Sequence, residues 1–533
     1  MLLARCATNS SGSPTVAKAC PRLAVQREFE EGRWSHGGAP ISTKEDAVMC
    51  RHSYLCSVIL TAFLSVVCSR DTQSGKIPVT ASSAEALRLY RAALELQDNL
   101  RFQESLEPLR QAVALDSSFA LAHLSLSLAE PTLSGFFRSF ERARELADKV
   151  SPGERLWILG FEAGVNADPM TQRKYYTELT TLFPNDERAH NLLGNNYFGQ
   201  QEYGQAIASF ERAIAINGQF AQPYNQLGYA YRLLGNYADA EKAFTKYIEL
   251  IPNDPNPYDS YAELLLKMGR YDESITSYRQ ALRINPNFVA SHVGIATNLN
   301  LEGRYEDARA QLRVLQSMAR NDGERRAATF ALAVSHAYQG QLDSALAVIG
   351  GQYVIAAATR DLPAMAADLN IAGTILLEMG KAVEAQAQFD TSAALMRGSG
   401  LAPEVIDNAL RAHRYNAAKV ALAKGDIKTA DALWDTFRVE VEALKNPNQL
   451  RLSSELAGLI SLASRDYGTA LREFGHASQL DPYNLYRTAL AYQGRGEKGS
   501  ARAWFRRVED FNPINSLNHA FVRQRAREGL ASL

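Results

Sequence analysis

Cysteine is missing from most of this chain. All five, Cys6, Cys20, Cys50, Cys56 and Cys68, fall in the first 68 of 533 residues. The rest of the chain therefore has no disulfide framework, no thiol nucleophile and no thiolate metal site. A body built this way suits a chain that works in an oxidising compartment without needing disulfides. The cysteines form no CxxC pair and the nine histidines are scattered singly. No metal and no cofactor is expected. Charge of one sign is lacking too, because 57 Lys and Arg face 58 Asp and Glu for a formal net charge of -1. Without clustered Lys and Arg to displace counterions from phosphates, a nucleic-acid partner is excluded. Catalytic signatures are also missing: there is no P-loop, no HExxH and no GxSxG. The chain is not expected to be an enzyme.

Long hydrophobic runs are scarce, and the one that stands out is Ser53 to Ser69, SYLCSVILTAFLSVVCS. It is short for a membrane span and the right size for the core of a signal peptide. Arg51 and His52 precede it and Met49 precede these. A chain starting at Met49 presents the basic, apolar and cleavage regions of a secretory signal in order. Residues 1–48, rich in Ser, Gly, Pro and Arg and without a helical or strand period, read as a disordered or mis-assigned extension. The segment resembles a bacterial lipoprotein signal, which implies lipidation at Cys68. Ser65, Val66 and Val67 stand before that cysteine, where the family pattern has Leu three residues before it and a small residue directly before it. A simple cleaved signal and an uncleaved anchor stay open beside lipidation. Residues 69–83 read as a flexible tether.

What the body does contain is a repeat. Four units begin at Glu187, Ala221, Pro255 and Val289, each 34 residues after the last, with no insertion. In the first helix of each unit, Leu193, Leu227, Tyr261 and Ile295 are followed by the small residues Gly194, Gly228, Ala262 and Ala296. Small residues let two helices approach closely. In the second helix, Ala206, Ala240, Ser274 and Ala308 stand four residues before Phe210, Phe244, Tyr278 and Leu312, on one helical face. Gly218, Pro252 and Pro286 end the units, where a helix cannot readily continue.

These residues resemble the tetratricopeptide repeat family, whose signature is this succession of large, small and aromatic residues within 34 positions. Ala221 to Asp254 follows it almost completely. The second-helix pattern returns as Ala345 with Ile349, Ala385 with Phe389, Ala430 with Trp434, Ala470 with Phe474 and Ala501 with Phe505. Three degenerate units fit residues 84–186. The resemblance implies an all-α, right-handed superhelical solenoid of about twelve helical pairs, with a C-terminal capping helix. The divisions expected are an N-terminal array over 84–322, with its best repeats at 187–322, a divergent array over 323–514 and a cap over 515–533. Arg523, Arg525, Arg527 and Glu528 of the cap are expected to face water. The wider spacing between Ile349 and Trp434 implies longer helices or longer loops.

A stack of such pairs presents a concave groove lined by the first helices. In the family the inward positions are the second, fifth, ninth and twelfth of each unit. That register selects Arg188, Asn191, Asn195, Gln222, Asn225, Tyr229, Arg232 and Asp259 as candidate peptide-binding residues. Carboxamides both donate and accept hydrogen bonds, so such a row suits the backbone of an extended peptide. The family's clamp for a partner's C-terminal carboxylate is not expected, because Asn191 and Asn195 lack its accompanying Lys. The function implied is a non-catalytic scaffold for proteins or peptides, exported or membrane-tethered in the cell envelope. The alternative is a cytoplasmic adaptor for a kinase or transcription factor encoded separately.

Overall fold

The computed structural model describes residues 75–99 and 101–533. The N-terminal extension, the signal-like segment and Cys68 lie outside the described residues. Among the described residues, twenty-five α-helices form twelve antiparallel pairs and a trailing helix. The first three pairs are α1 (Ala84–Asp98) with α2 (Phe102–Leu115), α3 (Ala120–Ala129) with α4 (Leu133–Leu146), and α5 (Pro152–Val165) with α6 (Pro169–Leu182). The regular repeats supply α7 (Glu187–Gly199) with α8 (Tyr203–Ile216), α9 (Ala221–Leu233) with α10 (Tyr237–Leu250), α11 (Pro255–Lys267) with α12 (Tyr271–Ile284), and α13 (Val289–Leu301) with α14 (Tyr305–Met318). The divergent part supplies α15 (Asp322–Tyr338) with α16 (Leu342–Ala358), α17 (Leu362–Glu378) with α18 (Ala382–Arg397), and α19 (Pro403–Ala423) with α20 (Ile427–Leu444). The last two pairs are α21 (Pro447–Ala463) with α22 (Tyr467–His476) and α23 (Pro482–Gly494) with α24 (Lys498–Glu509), and α25 (Leu517–Ser532) closes the array.

Each pair is built around one contact that the repeat encodes. Phe210, Phe244, Tyr278 and Leu312 have no exposed surface, nor do the small residues four positions earlier. A Cβ added to Gly194 or to Gly228 would stand 2.5 Å from the ring of Phe210 or Phe244 respectively, so only glycine admits the ring this close. Gly373 and Gly458 make the same approach to Phe389 and Phe474. Within most pairs the turn needs a left-handed residue, which Gly235 supplies at φ 77° and Gly269 at φ 76°. Asp186, Asp254, Asp426 and Asp466 cap the helices that follow them, each accepting a backbone N–H of the first turn.

The wider spacing in the divergent part is taken up by helix length. The helices α15, α16 and α17 have 17 residues each and α19 has 21, against 13 or 14 in the regular pairs. The connector between α16 and α17 is accordingly short, since α16 continues to Ala358 and α17 starts at Leu362.

The solenoid winds until later pairs meet earlier ones. The backbone N–H of Leu133, in the second pair, donates to Asp361, which caps the ninth, at 3.1 Å. Arg451 of the eleventh pair donates to the carbonyl of Gln200 at the end of α7, in the fourth, at 2.9 Å. Tyr271 of the sixth donates to Asn512, beyond the twelfth, at 2.9 Å. The turn between α1 and α2 reaches several pairs at once: Asp98 binds Arg188, Glu104 accepts from Asn285, and Gln103 accepts from Asn321.

The cap departs from expectation in its orientation. Arg523 is buried and donates to the carbonyl of Leu301 at 2.8 Å, while Arg525 pairs with Glu378 at 2.8 Å. The helix is wedged between the end of the array and its middle, so Arg523 faces protein instead of water and Arg525 is only partly exposed. Arg527 remains near the surface, paired with Glu509. Among the described residues no helix is long and apolar enough to cross a membrane.

Candidate functional site: the concave face

The inward register of α7, α9 and α11 brings the candidate residues onto one face, where they bond from helix to helix. Asn191 Nδ2 donates to Gln222 Oε1 at 2.6 Å. Tyr229 donates its hydroxyl to Ser260 at 3.2 Å and meets Phe244 edge to face, with ring centroids 5.2 Å apart. Arg232 pairs with Glu263 at 3.2 Å and lies over the Tyr229 ring at 4.7 Å. Asp259 Oδ1 accepts from Ser291 at 2.8 Å. The hydrogen bonds and the ion pair among these contacts each tie the first helix of one pair to the first helix of the next.

Burial separates the candidates further. Asn191, Asn225, Tyr229 and Asp259 are buried, whereas Arg188, Asn195, Gln222 and Arg232 are half-buried. Arg188 is held by both oxygens of Asp98, at 3.0 and 2.7 Å, and lies over the Phe220 ring. The carboxamide oxygens of Asn191, Asn225 and Asn256 are shielded from solvent and have no hydrogen-bond donor. Leaving a buried acceptor unmet costs about 1–3 kcal/mol, so a donor brought to any of them would be stabilising.

Where α11 meets the segment after α24, Lys267 donates to the carbonyl of Phe511 and stands 3.9 Å from its ring centroid. Burial, reinforced by Arg232 and Arg507, pulls its ammonium down to about 8.

A second polar cluster on the first helices escaped the sequence reading. Glu455 of α21 accepts from the Tyr415 hydroxyl at 2.7 Å and from Arg487 at 2.7 Å, and Arg487 stacks over Tyr483 at 4.1 Å. Burial opposes the charge on Glu455, but Arg487 and Lys419 hold its carboxyl below the usual range. The signal was available. Counting back from Ala470 as one counts from Ala206 places Glu455 at the fifth position of its unit, the position of Asn191. Tyr415 stands fifth when counted from Ala430.

Two sequence features resolve as structure. Gly494, Gly496 and Gly499 have the spacing of a dinucleotide fingerprint, but they span the turn between α23 and α24 with no strand before it, so the phosphate-cradling geometry is absent. His190 and His292 each place a ring nitrogen on a proline carbonyl of the preceding turn, Pro184 at 3.1 Å and Pro286 at 2.9 Å. Among the described residues no group of three or more His, Cys, Asp or Glu could hold a metal ion.

Comparison with known proteins places the repeat. Family models described as tetratricopeptide repeat match residues 219–287 and 265–332, and one described as TPR repeat matches residues 194–235. Residues 194–332 thus carry tetratricopeptide repeats. No curated protein matches the chain. Among solved structures, a tetratricopeptide repeat protein from Parabacteroides merdae is similar at 16% identity, over 49% of this chain and 98% of that one, with a TM-score of 0.34. A thermophilic TPR protein of Thermus thermophilus is 20% identical over 40% of this chain and 98% of its own, with a TM-score of 0.26. YrrB, described as a TPR protein with an unusual peptide-binding site, is 18% identical over 34% and 91%, with a TM-score of 0.24.

Proposed function

We propose that this tetratricopeptide-repeat solenoid is a non-catalytic scaffold that holds an extended peptide or protein segment against the first helices of its fourth to sixth pairs. The observation that carries this is the run of inward-facing carboxamides Asn191, Asn195, Gln222 and Asn225 along successive first helices, with Asn195 and Gln222 half-buried at its surface. Carboxamides both donate and accept hydrogen bonds, so a peptide backbone can meet Asn195 and Gln222 with little regard for its side chains. Arg188, Asn195, Gln222 and Arg232, half-buried at the margin of this run, are the side chains through which a partner's own groups would be distinguished.

The test is capture of partners by the full chain and by its Asn191→Ala/Asn195→Ala/Asn225→Ala variant, with thermal melting of both. Capture is expected to fall at least tenfold. Melting is expected to drop only by the loss of the Asn191–Gln222 bond, about 1 kcal/mol. Undiminished capture by the folded variant would refute the assignment.

The place of work proposed is the cell envelope, with the chain exported and tethered through its N-terminal segment. Support comes from the signal-like run at Ser53 to Ser69 and from the cysteine-free body. Fractionation of the native protein with intact-mass analysis decides it. A membrane-bound species beginning at a lipid-modified Cys68 is expected. A soluble species that retains Ser53 to Ser69 would make the cytoplasmic adaptor the better account.

A further inference from the structure

Residues 76 to 82 form an extended strap with no strand partner, laid across the edge of the first four pairs. Its grip is chemical and stepwise. Ser82 N–H donates to Asp116 at 2.6 Å. Thr80 donates its N–H and its hydroxyl to the two oxygens of Glu154, at 2.8 and 2.5 Å. Ile77 N–H donates to Asp186 at 2.9 Å, Ser151 donates to the carbonyl of Pro78 at 3.2 Å, and Lys76 pairs with Glu187. Asp116 and Asp186 from two inter-pair connections and Glu154 from the first turn of α5 thus receive the strap, and Glu187 takes its lysine.

One side chain of the strap enters the core. Ile77 is buried with Leu156, Tyr176 and Leu179, beside Phe183. Gly153 makes room for it, because a Cβ there would stand 2.9 Å from Ile77 Cγ2 and 2.8 Å from the Phe183 ring. The other side of the strap walls a cleft of about 440 Å³, shared with Tyr90, Trp157 and Arg188. The stretch expected to be a flexible tether is therefore, from Lys76 onward, a seated peptide.

We propose that the strap is a displaceable intramolecular ligand. The seat beneath it receives from a partner an extended peptide of the same chemistry: a cation, then a β-branched aliphatic residue, then a hydroxyl residue three positions on. The charge of the seat matches this ligand, since Asp116, Glu154, Asp186 and Glu187 offer carboxylate acceptors to backbone N–H groups and to the lysine. The hold is of the kind that exchanges. All its directional bonds but that of Ser151 to the Pro78 carbonyl run to the ends of carboxylate side chains, and Ile77 alone is buried, with Val79 and Ala81 only partly so. Its advantage over a free peptide is the connection to α1, which supplies an effective concentration on the order of millimolar. The seat touches the carboxamide run only at Arg188, and its test reads strap displacement alone, so it stands or falls independently of the scaffold assignment.

The test uses the full chain and a fluorescein-labelled peptide of sequence GKIPVTAS, followed by fluorescence anisotropy. Ile77→Asp releases the strap by placing a charge in the apolar seat. The peptide is expected to bind this variant at least tenfold more tightly than it binds the wild type, and the peptide carrying Asp in place of its Ile is expected to bind neither. Hydrogen exchange over residues 76–82 is expected to speed up in the variant while α5 to α8 stay protected. Should Ile77→Asp lose its melting transition, Lys76→Ala/Thr80→Ala serves in its place by the same criteria. Equal binding to wild type and folded variant, absence of binding to the folded variant, or equal binding of the Asp-bearing peptide would each overturn the proposal.

Discussion

His519 offers the sharpest test of how the array is closed. It lies on α25 with no exposed surface, and joins three elements through one ring. Its Nε2 faces the carbonyl of Val508 on α24 at 2.9 Å, and its Nδ1 faces the Tyr338 hydroxyl at the end of α15 at 2.8 Å. A carbonyl only accepts, so Nε2 carries the proton and Nδ1 accepts from Tyr338. Burial first, and then Arg523, push the imidazole from 6.5 down to about 3. A base whose folded pKa is depressed contributes stability that is fully present above its unfolded value and is lost as pH falls towards the folded one. Well inside that window each pH unit is worth about 1.4 kcal/mol, so lowering the pH from 7 to 5 removes about 2 kcal/mol through this group. Urea denaturation of wild type and of His519→Gln at pH 7 and pH 5 measures it. Burial also pushes His123, His190 and His292 down, so the wild-type slope alone mixes several groups. The difference in slope between the two proteins isolates His519. Equal pH dependence in both would refute the claim that this histidine is held neutral at the closure.

Two further outcomes follow from the packing. Gly228→Ala places a Cβ 2.5 Å from the Phe244 ring, and overpacking of this kind costs about 1–3 kcal/mol, read as a lower urea midpoint. Arg487→Met leaves Glu455 charged and buried without its partner, which costs about 3–5 kcal/mol. The double variant Arg487→Met/Glu455→Leu removes both charges, and thermal melting is expected to place it above the single variant. A double variant no more stable than the single one would show that the pair is not the source of the loss.

What could be read from the sequence was what neighbouring residues decide. The alternation of small and aromatic residues, Gly194 with Phe210 or Gly228 with Phe244, recurs because the core of each pair is packed within the pair and against the next one. That repetition writes the helix boundaries, the number of pairs and the inward register into the order of residues. In the divergent part the same pattern survived at Ala430, Ala470 and Ala501, although the helices around it grew longer. Extra residues there extended the helices, and the period could not distinguish that from longer loops.

Tertiary structure alone decided which inward side chains are occupied and where the winding brings distant pairs together. The tie between Leu133 and Asp361, the grip of Asp98 on Arg188 and the seat of Ile77 against Gly153 each join residues far apart in sequence. Such contacts rest on single side chains that recur at no interval, so no period reveals them. Arg523 shows the consequence: its place on a terminal helix reads as part of a solvated face until the superhelix returns and covers it. Local periodicity fixed the repeating unit, and the curvature of the stack, summed over many small rotations between pairs, determined which of its surfaces met.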